Sequence, residues 1–370
     1  MNSKGYRVLF ILEHFFPYLG GVEQLFGQLT KALAGRGVEV TVLTTRHDPT
    51  LPVEEMLEGV RIRRIRAGNR YLFTLLALPL AIRYAIRARV VFTSTYNAAV
   101  PAFIAAALAR KPVIITVHEV WGHLWFRFPW LGKAPAALHF LFEKLVISLP
   151  FRRMVAVSDF TRATLLHRGI TPEKVEMVHN GLDYNRIDQY RQPRPEGFSP
   201  SPEKFIYYGR LGHSKGLDLI VKGGARYLQK NPGAVIELVV PEVPRRFRRR
   251  LEKEVASTPC RDRILITASL PEAELFRRLQ DATAVLIPSR SEGFCYVAAE
   301  CAALGVPVIS SGQGALTETA GGKVVTLSSL TPDGLCEAME KACAGEFKDV
   351  PVRRFPLEDQ VQQYLDLLDL

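Results

Sequence analysis

Short apolar runs alternate with longer stretches of helical periodicity along this chain. Tyr6 to Leu12, Val38 to Thr44 and Val113 to Val117 are compact hydrophobic runs, the pattern of strands buried on both faces. Arg89–Phe92, Met154–Val157 and Val175–Val178 repeat it, and Glu58 to Ile65 predicts a more exposed strand carrying Arg61, Arg63, Arg64 and Arg66. Between them, Gly21 to Ala34 sets Val22, Leu25, Phe26, Leu29 and Leu33 at helical spacing, and Ala134 to Leu149 predicts an apolar helix. Tyr71 to Arg89 is apolar at first and then basic, with Arg83, Arg87 and Arg89. Further on, strands are predicted at Lys204–Tyr208, Ala234–Val240, Ile264–Thr267, Ala284–Ile287 and Val306–Ser310, with helices at Leu217–Gln229 and Pro271–Gln280. Strands alternating with helices predict parallel, doubly wound α/β sheets.

A length of 370 residues fits two domains. The stretch from Arg186 to Pro202 holds four prolines and scattered charges and reads as a linker. That gives a first domain over 1–185, a linker over 186–203, a second domain over 204–356 and a last helix over 357–370. Apolar residues make up 48% of the chain, enough for packed cores.

The net charge of +11 changes the picture because it is uneven. Residues 1–185 hold 23 Lys and Arg against 13 Asp and Glu, and residues 186–370 hold 25 against 24. A basic first half suggests an anionic partner, nucleic acid or anionic lipid, though solvated basic faces would read the same. No nucleic-acid recognition module is present, so nucleic acid drops out. Five cysteines without a Cys-x-x-Cys pair indicate reduced thiols and a cytoplasmic enzyme. Val8 to Leu12 is too short for a signal peptide. Val90 to Ala109 is uncharged and long enough to span a bilayer, but Thr93, Ser94, Thr95, Asn97 and Pro101 break it into strand, loop and helix.

Candidate chemistry concentrates in Pro288-Ser289-Arg290-Ser291-Glu292-Gly293-Phe294-Cys295-Tyr296-Val297-Ala298-Ala299-Glu300. It reads as the end of a strand, a tight turn and a helix start, where unpaired N–H groups favour an anion. Glu292 falls in the turn and Glu300 about two turns into the helix. Two such carboxylates repel unless cations or hydroxyls share them. A helix cap and a solvated glutamate would be the plain alternative. Gly209-Arg210-Leu211-Gly212-His213-Ser214-Lys215-Gly216 follows a predicted strand, and its Arg210 and Lys215 could hold phosphate oxygens. Gly20-Gly21 before a helix permits a turn that brings backbone close to a ligand. His118-Glu119-Val120-Trp121-Gly122-His123 has the wrong spacing for a zinc helix. His118 nonetheless lies just past a strand's carboxyl end, where such sheets bind ligands. Trp121, Trp125, Phe126, Phe128 and Trp130, mixed with Arg127 and Lys133, suit a membrane interface and core packing equally.

Together these motifs resemble the retaining glycosyltransferases of family 4. The shared pattern is Gly-Gly-Val-Glu, Gly-Arg…Lys-Gly, Asn-Gly-x-Asp at 180–183, and Glu-Gly-Phe followed by a second Glu eight positions on and Gly-x-Pro-Val. The resemblance runs from Gly20 to Leu370. It implies the GT-B fold, two Rossmann-like domains with parallel sheets facing across a cleft, and a last helix returning to the first domain. It implies a nucleoside-diphosphate sugar as donor, a glycan acceptor, and no tightly bound metal or cofactor. The basic first half and the aromatic stretch, not the resemblance, extend this expectation to a lipid-linked acceptor and a cytoplasmic enzyme peripheral on an anionic membrane surface. No Asp-x-Asp triplet is present. Arg210, Lys215, His118 and Glu292 would be catalytic. Gly20, Gly21, Gly293, Phe294, Cys295, Tyr296, Val297 and Glu300 would complete donor binding, Glu300 on the ribose and Glu292 on the sugar hydroxyls. Cys295 stands where the family has glycine, Val240-Pro241-Glu242-Val243-Pro244 replaces its Gly-x-Gly, and Gly312-Gln313-Gly314 to Glu318 matches its Gly-Gly-x-Pro-Glu loosely. These departures keep a catalytically silent nucleotide- or lipid-binding protein of the same fold as the alternative.

Overall fold

The computed structural model describes residues 5–18, 20–128, 131–194, 200–212, 214–241 and 245–369. The chain divides into two compact units, Met1–Gly181 with Phe355–Leu370, and Leu182–Arg354.

Unit 1 runs β1 (Arg7–Ile11), α1 (Gly21–Gly35), β2 (Glu39–Thr45), β3 (Glu54–Leu57), β4 (Val60–Ile65), α2 (Arg70–Leu76), α3 (Leu78–Arg87), β5 (Val90–Ser94), α4 (Ala99–Ala109), β6 (Val113–Val117), α5 (Lys133–Ser148), β7 (Arg153–Ala156), α6 (Asp159–His167) and β8 (Val175–Met177). Its sheet has the order β3-β4-β2-β1-β5-β6-β7-β8. The ladders are parallel, except that β3 pairs antiparallel with β4. The predicted strand at Glu58–Ile65 is thus the second arm of a hairpin. Right-handed crossovers put α1 on one face and α2 to α6 on the other. On that second face Phe73 of α2, Ala81 of α3, Ala102 of α4 and Val146 of α5 join one core. The first face is closed by the last helix, Leu357–Asp366. Its Tyr364 hydroxyl lies 2.7 Å from Thr116 Oγ1, and Gln360 Oε1 accepts from the Gly181 N–H at 3.1 Å. A Cβ on Gly181 would come within 2.5 Å of Leu357 Cα, so only glycine lets this helix seat.

Unit 2 runs α7 (Tyr184–Asp188), β9 (Lys204–Tyr208), α8 (Leu217–Lys230), β10 (Val235–Val239), α9 (Arg245–Ala256), β11 (Ile264–Thr267), α10 (Glu272–Gln280), β12 (Ala284–Ile287), α11 (Tyr296–Leu304), β13 (Val308–Ser310), α12 (Leu316–Thr319), β14 (Gly322–Thr326), α13 (Pro332–Cys343) and β15 (Lys348–Val350). Its sheet order is β11-β10-β9-β12-β13-β14-β15, with only β15 antiparallel. Of the stretch predicted as a linker, residues 195–199 lie outside the described residues, and residues 186–194 are built onto this unit. Arg186 pairs with Glu272 at 3.0 Å, and Arg194 donates to the carbonyls of Gln280 and Ala282. Among the described residues, no helix is long and apolar enough to cross a membrane.

Candidate active site

Strand order reverses between β9 and β12 in unit 2. The chain leaves β9 toward β10 and β11, then returns to β12 on the other side. In open α/β sheets the crevice outside the carboxyl ends at such a point binds ligands. Here it is formed by the loops 209–216 and 288–295.

Backbone and side chains lock these loops together. The Arg290 N–H donates to the Ser214 carbonyl at 2.6 Å, and the Arg290 guanidinium grips both oxygens of Asp218 at 2.8 and 2.7 Å. Gly216 has φ +69°, and a Cβ there would fall 2.1 Å from the Pro288 carbonyl oxygen. A third loop closes on the same point. Gly314, at φ +64°, would drive a Cβ to 2.3 Å from the Glu292 carbonyl oxygen, while the Ala315 N–H donates to that oxygen at 2.9 Å.

At the centre lies Glu292, only 5% exposed. Lys215 Nζ reaches both its oxygens at 2.8 Å, and Ser289 Oγ donates to one at 2.6 Å. Ser289 is held in turn by Ser311, whose hydroxyl donates to its carbonyl. Arg210 is exposed at the rim, and its carbonyl accepts from Tyr207. Gly293 and Phe294 are buried behind the turn, and Phe294 meets Tyr296 edge to face at 5.3 Å. Val297 is half-buried on the first turn of α11.

The N-cap of α11 is Cys295, in the left-handed region at φ 74°, ψ 81°. That conformation explains the glycine of the family pattern, since a Cβ makes it costly. No side chain caps the helix. Burial, and then the Glu292 carboxylate, push the Cys295 thiol well above its ordinary range. The group is therefore a neutral thiol near neutral pH, not a nucleophile. Glu300, also buried, accepts from the Tyr208 hydroxyl at 2.7 Å. Burial first, and the neighbouring carboxylate second, hold the Tyr208 phenol well up, so it stays a donor. The two carboxylates expected to repel each other thus have separate partners, Lys215 and Tyr208. Ser289, Ser311 and Tyr208 were not singled out from sequence. Only Ser289, inside the motif, carried a signal.

Unit 1 holds the remaining candidates. Gly20 is the N-cap of α1 at φ 175°, ψ 167°, extended backbone that any residue adopts, so no glycine-only turn exists there. Its carbonyl accepts from Gln24, and Gly21 begins the helix. His118 follows β6, half-buried, with its ring edge to face against Phe26 at 6.0 Å. His123 instead lies beside Phe140. Strand order also reverses between β1 and β5, where Asn97 donates to Glu13 at 2.8 Å. Close by, His14 stacks on Tyr18 at 4.2 Å and His47 meets that tyrosine edge-on, a cluster that sequence reading passed over. The aromatic stretch is largely core. Trp125 and Phe128 are buried, and the buried carboxylate of Glu143 accepts from the Trp121 and Gly122 N–H groups, the Trp125 indole and the Tyr96 hydroxyl. Trp130, His213 and the replacement residues 242–244 lie outside the described residues.

Two Rossmann-like units, each reversing its strand order beside such loops, are the architecture of GT-B glycosyltransferases. Residues 19–186 match the family model described as Glycosyltransferase Family 4, and residues 188–347 that described as Glycosyl transferases group 1. The chain belongs to the family 4 glycosyltransferases. It is 26% identical to the D-inositol 3-phosphate glycosyltransferase of Kribbella flavida, over 80% of this chain and 76% of that protein. It is 23% identical to one subunit of human phosphatidylinositol N-acetylglucosaminyltransferase, over 92% of this chain and 69% of that protein. Among solved structures, the sucrose-phosphate synthase of Thermosynechococcus elongatus superposes with a TM-score of 0.74 at 19% identity, covering 98% of each chain. Anabaena HepE in complex with UDP-glucose gives 0.70 at 17%, covering 98% of this chain and 99% of that one.

Proposed function

We propose that this glycosyltransferase moves a sugar from a nucleoside-diphosphate sugar to an acceptor hydroxyl with retention at the anomeric carbon, and that the acceptor is a glycan or a lipid-linked molecule. The observation that carries the reading is the Lys215–Glu292 pair at the strand-order reversal, directly before the uncapped start of the helix that carries buried Glu300. A cation and a helix N-terminus suit a diphosphate, and two fixed carboxylates suit hydroxyls. The HepE complex with UDP-glucose supports a donor of this class.

In the reaction the bond from the anomeric carbon to the diphosphate oxygen breaks as the acceptor oxygen bonds that carbon. The acceptor proton leaves with the diphosphate. Negative charge grows on the leaving group, and Lys215 with Arg210 would stabilise it there. Glu300 would take the ribose hydroxyls and Glu292 the donor sugar's hydroxyls. On the family pattern, His118 and the backbone at Gly20 and Gly21 serve the same donor. With Lys215 and Arg210 supplying the neutralisation, turnover should survive a chelator.

The test is calorimetry with uridine, guanosine and adenosine diphosphates, followed by release of nucleoside diphosphate from the matching sugar donors. Binding of one diphosphate together with turnover supports the enzyme. Binding without turnover on any donor and acceptor tried would favour the silent protein of the same fold. No binding at all would sink both.

A further inference from the structure

Unit 1 carries an apolar face that its own packing leaves open. The helices α2 to α5 share one face of the eight-stranded sheet and supply its core from their inner sides. Their outer sides are apolar as well. On α2, Tyr71, Leu72, Leu75 and Leu76 are all exposed, Leu75 at 69%. Their spacing makes one stripe. On α5, Leu138, Leu141 and Leu145 recur at three and four residues, a second stripe, with Leu138 at 69%. Ile86 of α3 and Leu108 of α4 lie between these helices in the chain and are also exposed. Of the 17 exposed large hydrophobics among the described residues, 11 fall between positions 71 and 145. An open apolar face of this kind marks a contact site.

The charge on the same segment says what covers it. From Ile65 to Ser158 there are 12 Lys and Arg against two acidic residues, Glu119 and Glu143. Glu143 is buried and satisfied by four donors, so it offsets nothing at the surface. Arg83 and Arg87 on α3, Arg110 after α4, and Lys133 and Lys144 on α5 are exposed on the same layer. The edge strands do not contribute. Arg64 is buried against Glu55, and Arg61 and Arg63 pair with Glu54. Leucine stripes flanked by cations, with almost no acidic residues, match a surface that is apolar within and negative at its headgroups. A second copy fits poorly, because symmetric pairing would set these cations against one another.

We propose that the outer faces of α2 to α5 dock unit 1 into the surface of an anionic lipid bilayer. The idea deepens the lipid-linked reading of the acceptor, yet it is measured with neither donor nor acceptor. The whole protein is mixed with vesicles of phosphatidylcholine, with or without phosphatidylserine, and sedimented at low and at physiological salt. Binding should require phosphatidylserine and weaken with salt. Arg83→Gln with Arg87→Gln should weaken it roughly 20- to 30-fold, about fivefold per cation. Leu75→Ser with Leu141→Ser, both at exposed positions, should weaken it on the order of tenfold or more. Their turnover on a water-soluble acceptor should stay at the wild-type level. Absence of binding at low salt, equal binding to both vesicles, or unchanged binding of the leucine variant would overturn the proposal. So would a dimer in light scattering that the leucine variant dissolves, since the face would then belong to a second copy. Vesicle binding without turnover on any donor would leave this proposal standing and remove the enzymatic reading.

Discussion

Replacing Lys215 with Met separates the structural from the chemical use of the Lys215–Glu292 pair. The substitution keeps the length of the side chain and removes its charge. Glu292 is 5% exposed, so it would be left as a buried carboxylate with Ser289 as its remaining side-chain donor. Breaking a fully buried pair costs about 3–5 kcal/mol. The Lys215 side chain is 31% exposed and Ser289 stays, so roughly 1–3 kcal/mol is the discounted figure. Adding Glu292→Gln removes the orphaned charge. The double variant should then return to within about 1 kcal/mol of the wild type, because neutral replacements of both partners are often tolerated. Turnover should behave differently. Each single variant and the double should lose roughly 10²–10³-fold in turnover, the scale for removing one group that stabilises the transition state. Urea midpoints at constant slope give the stabilities, and release of nucleoside diphosphate gives the turnover. Recovery of turnover in parallel with stability in the double variant would refute the reasoning, since the pair would then be structural only. Near-normal turnover in Lys215→Met alone would refute it too.

Gly314→Ala forces a Cβ to 2.3 Å from the Glu292 carbonyl at a positive φ. It should cost about 2–4 kcal/mol and lower donor turnover with it, which thermal unfolding and a turnover assay on the folded fraction would check. Glu300→Gln should weaken nucleoside diphosphate binding at least tenfold in calorimetry while leaving the urea midpoint nearly unchanged; normal binding would end the ribose assignment. Burial alone would raise the Glu237 pKa, but hydrogen bonds from Lys204 and Thr267, with Lys204 and Arg278 charges beside it, hold it below its ordinary 4.5. Its stabilising contribution is therefore present above that value and lost as pH falls through the lower folded value. Glu237→Gln should be less stable than wild type at pH 7 and show a shallower loss of urea midpoint below pH 4.5.

The sheets were legible because their strands are buried on both faces and leave short apolar runs that nothing else explains. Two of the four edge strands escaped. Strand β3 is Glu-Glu-Met-Leu and β15 is Lys-Asp-Val, and neither alternates, because an exposed edge needs only backbone pairing. The aromatic stretch could not be divided from sequence. Trp125 is buried by packing against Phe128 and Ala136, and its indole N–H is anchored by Glu143, on a helix 18 residues further along the chain. The exposed leucines of α2 and α5 read from sequence only as apolar helical stretches, since periodicity shows a stripe without showing what covers it.

The central motif was legible as chemistry and less so as geometry. Glu292 and Lys215 stand 77 residues apart, and only the adjacency of β9 and β12 brings them within 2.8 Å. Cys295 shows the reverse case, in which a departure from pattern acquires a physical meaning. A non-glycine residue in the left-handed region costs on the order of 1–3 kcal/mol, and it persists only where surroundings over-determine it. Here Gly216 and Gly314 press on the neighbouring backbone, Arg290 ties the loops, and β12 and α11 fix both ends of the turn. Each of those contacts also sets the position of Glu292. The rigidity that tolerates the cysteine is therefore the same rigidity that would hold a carboxylate ready for a donor.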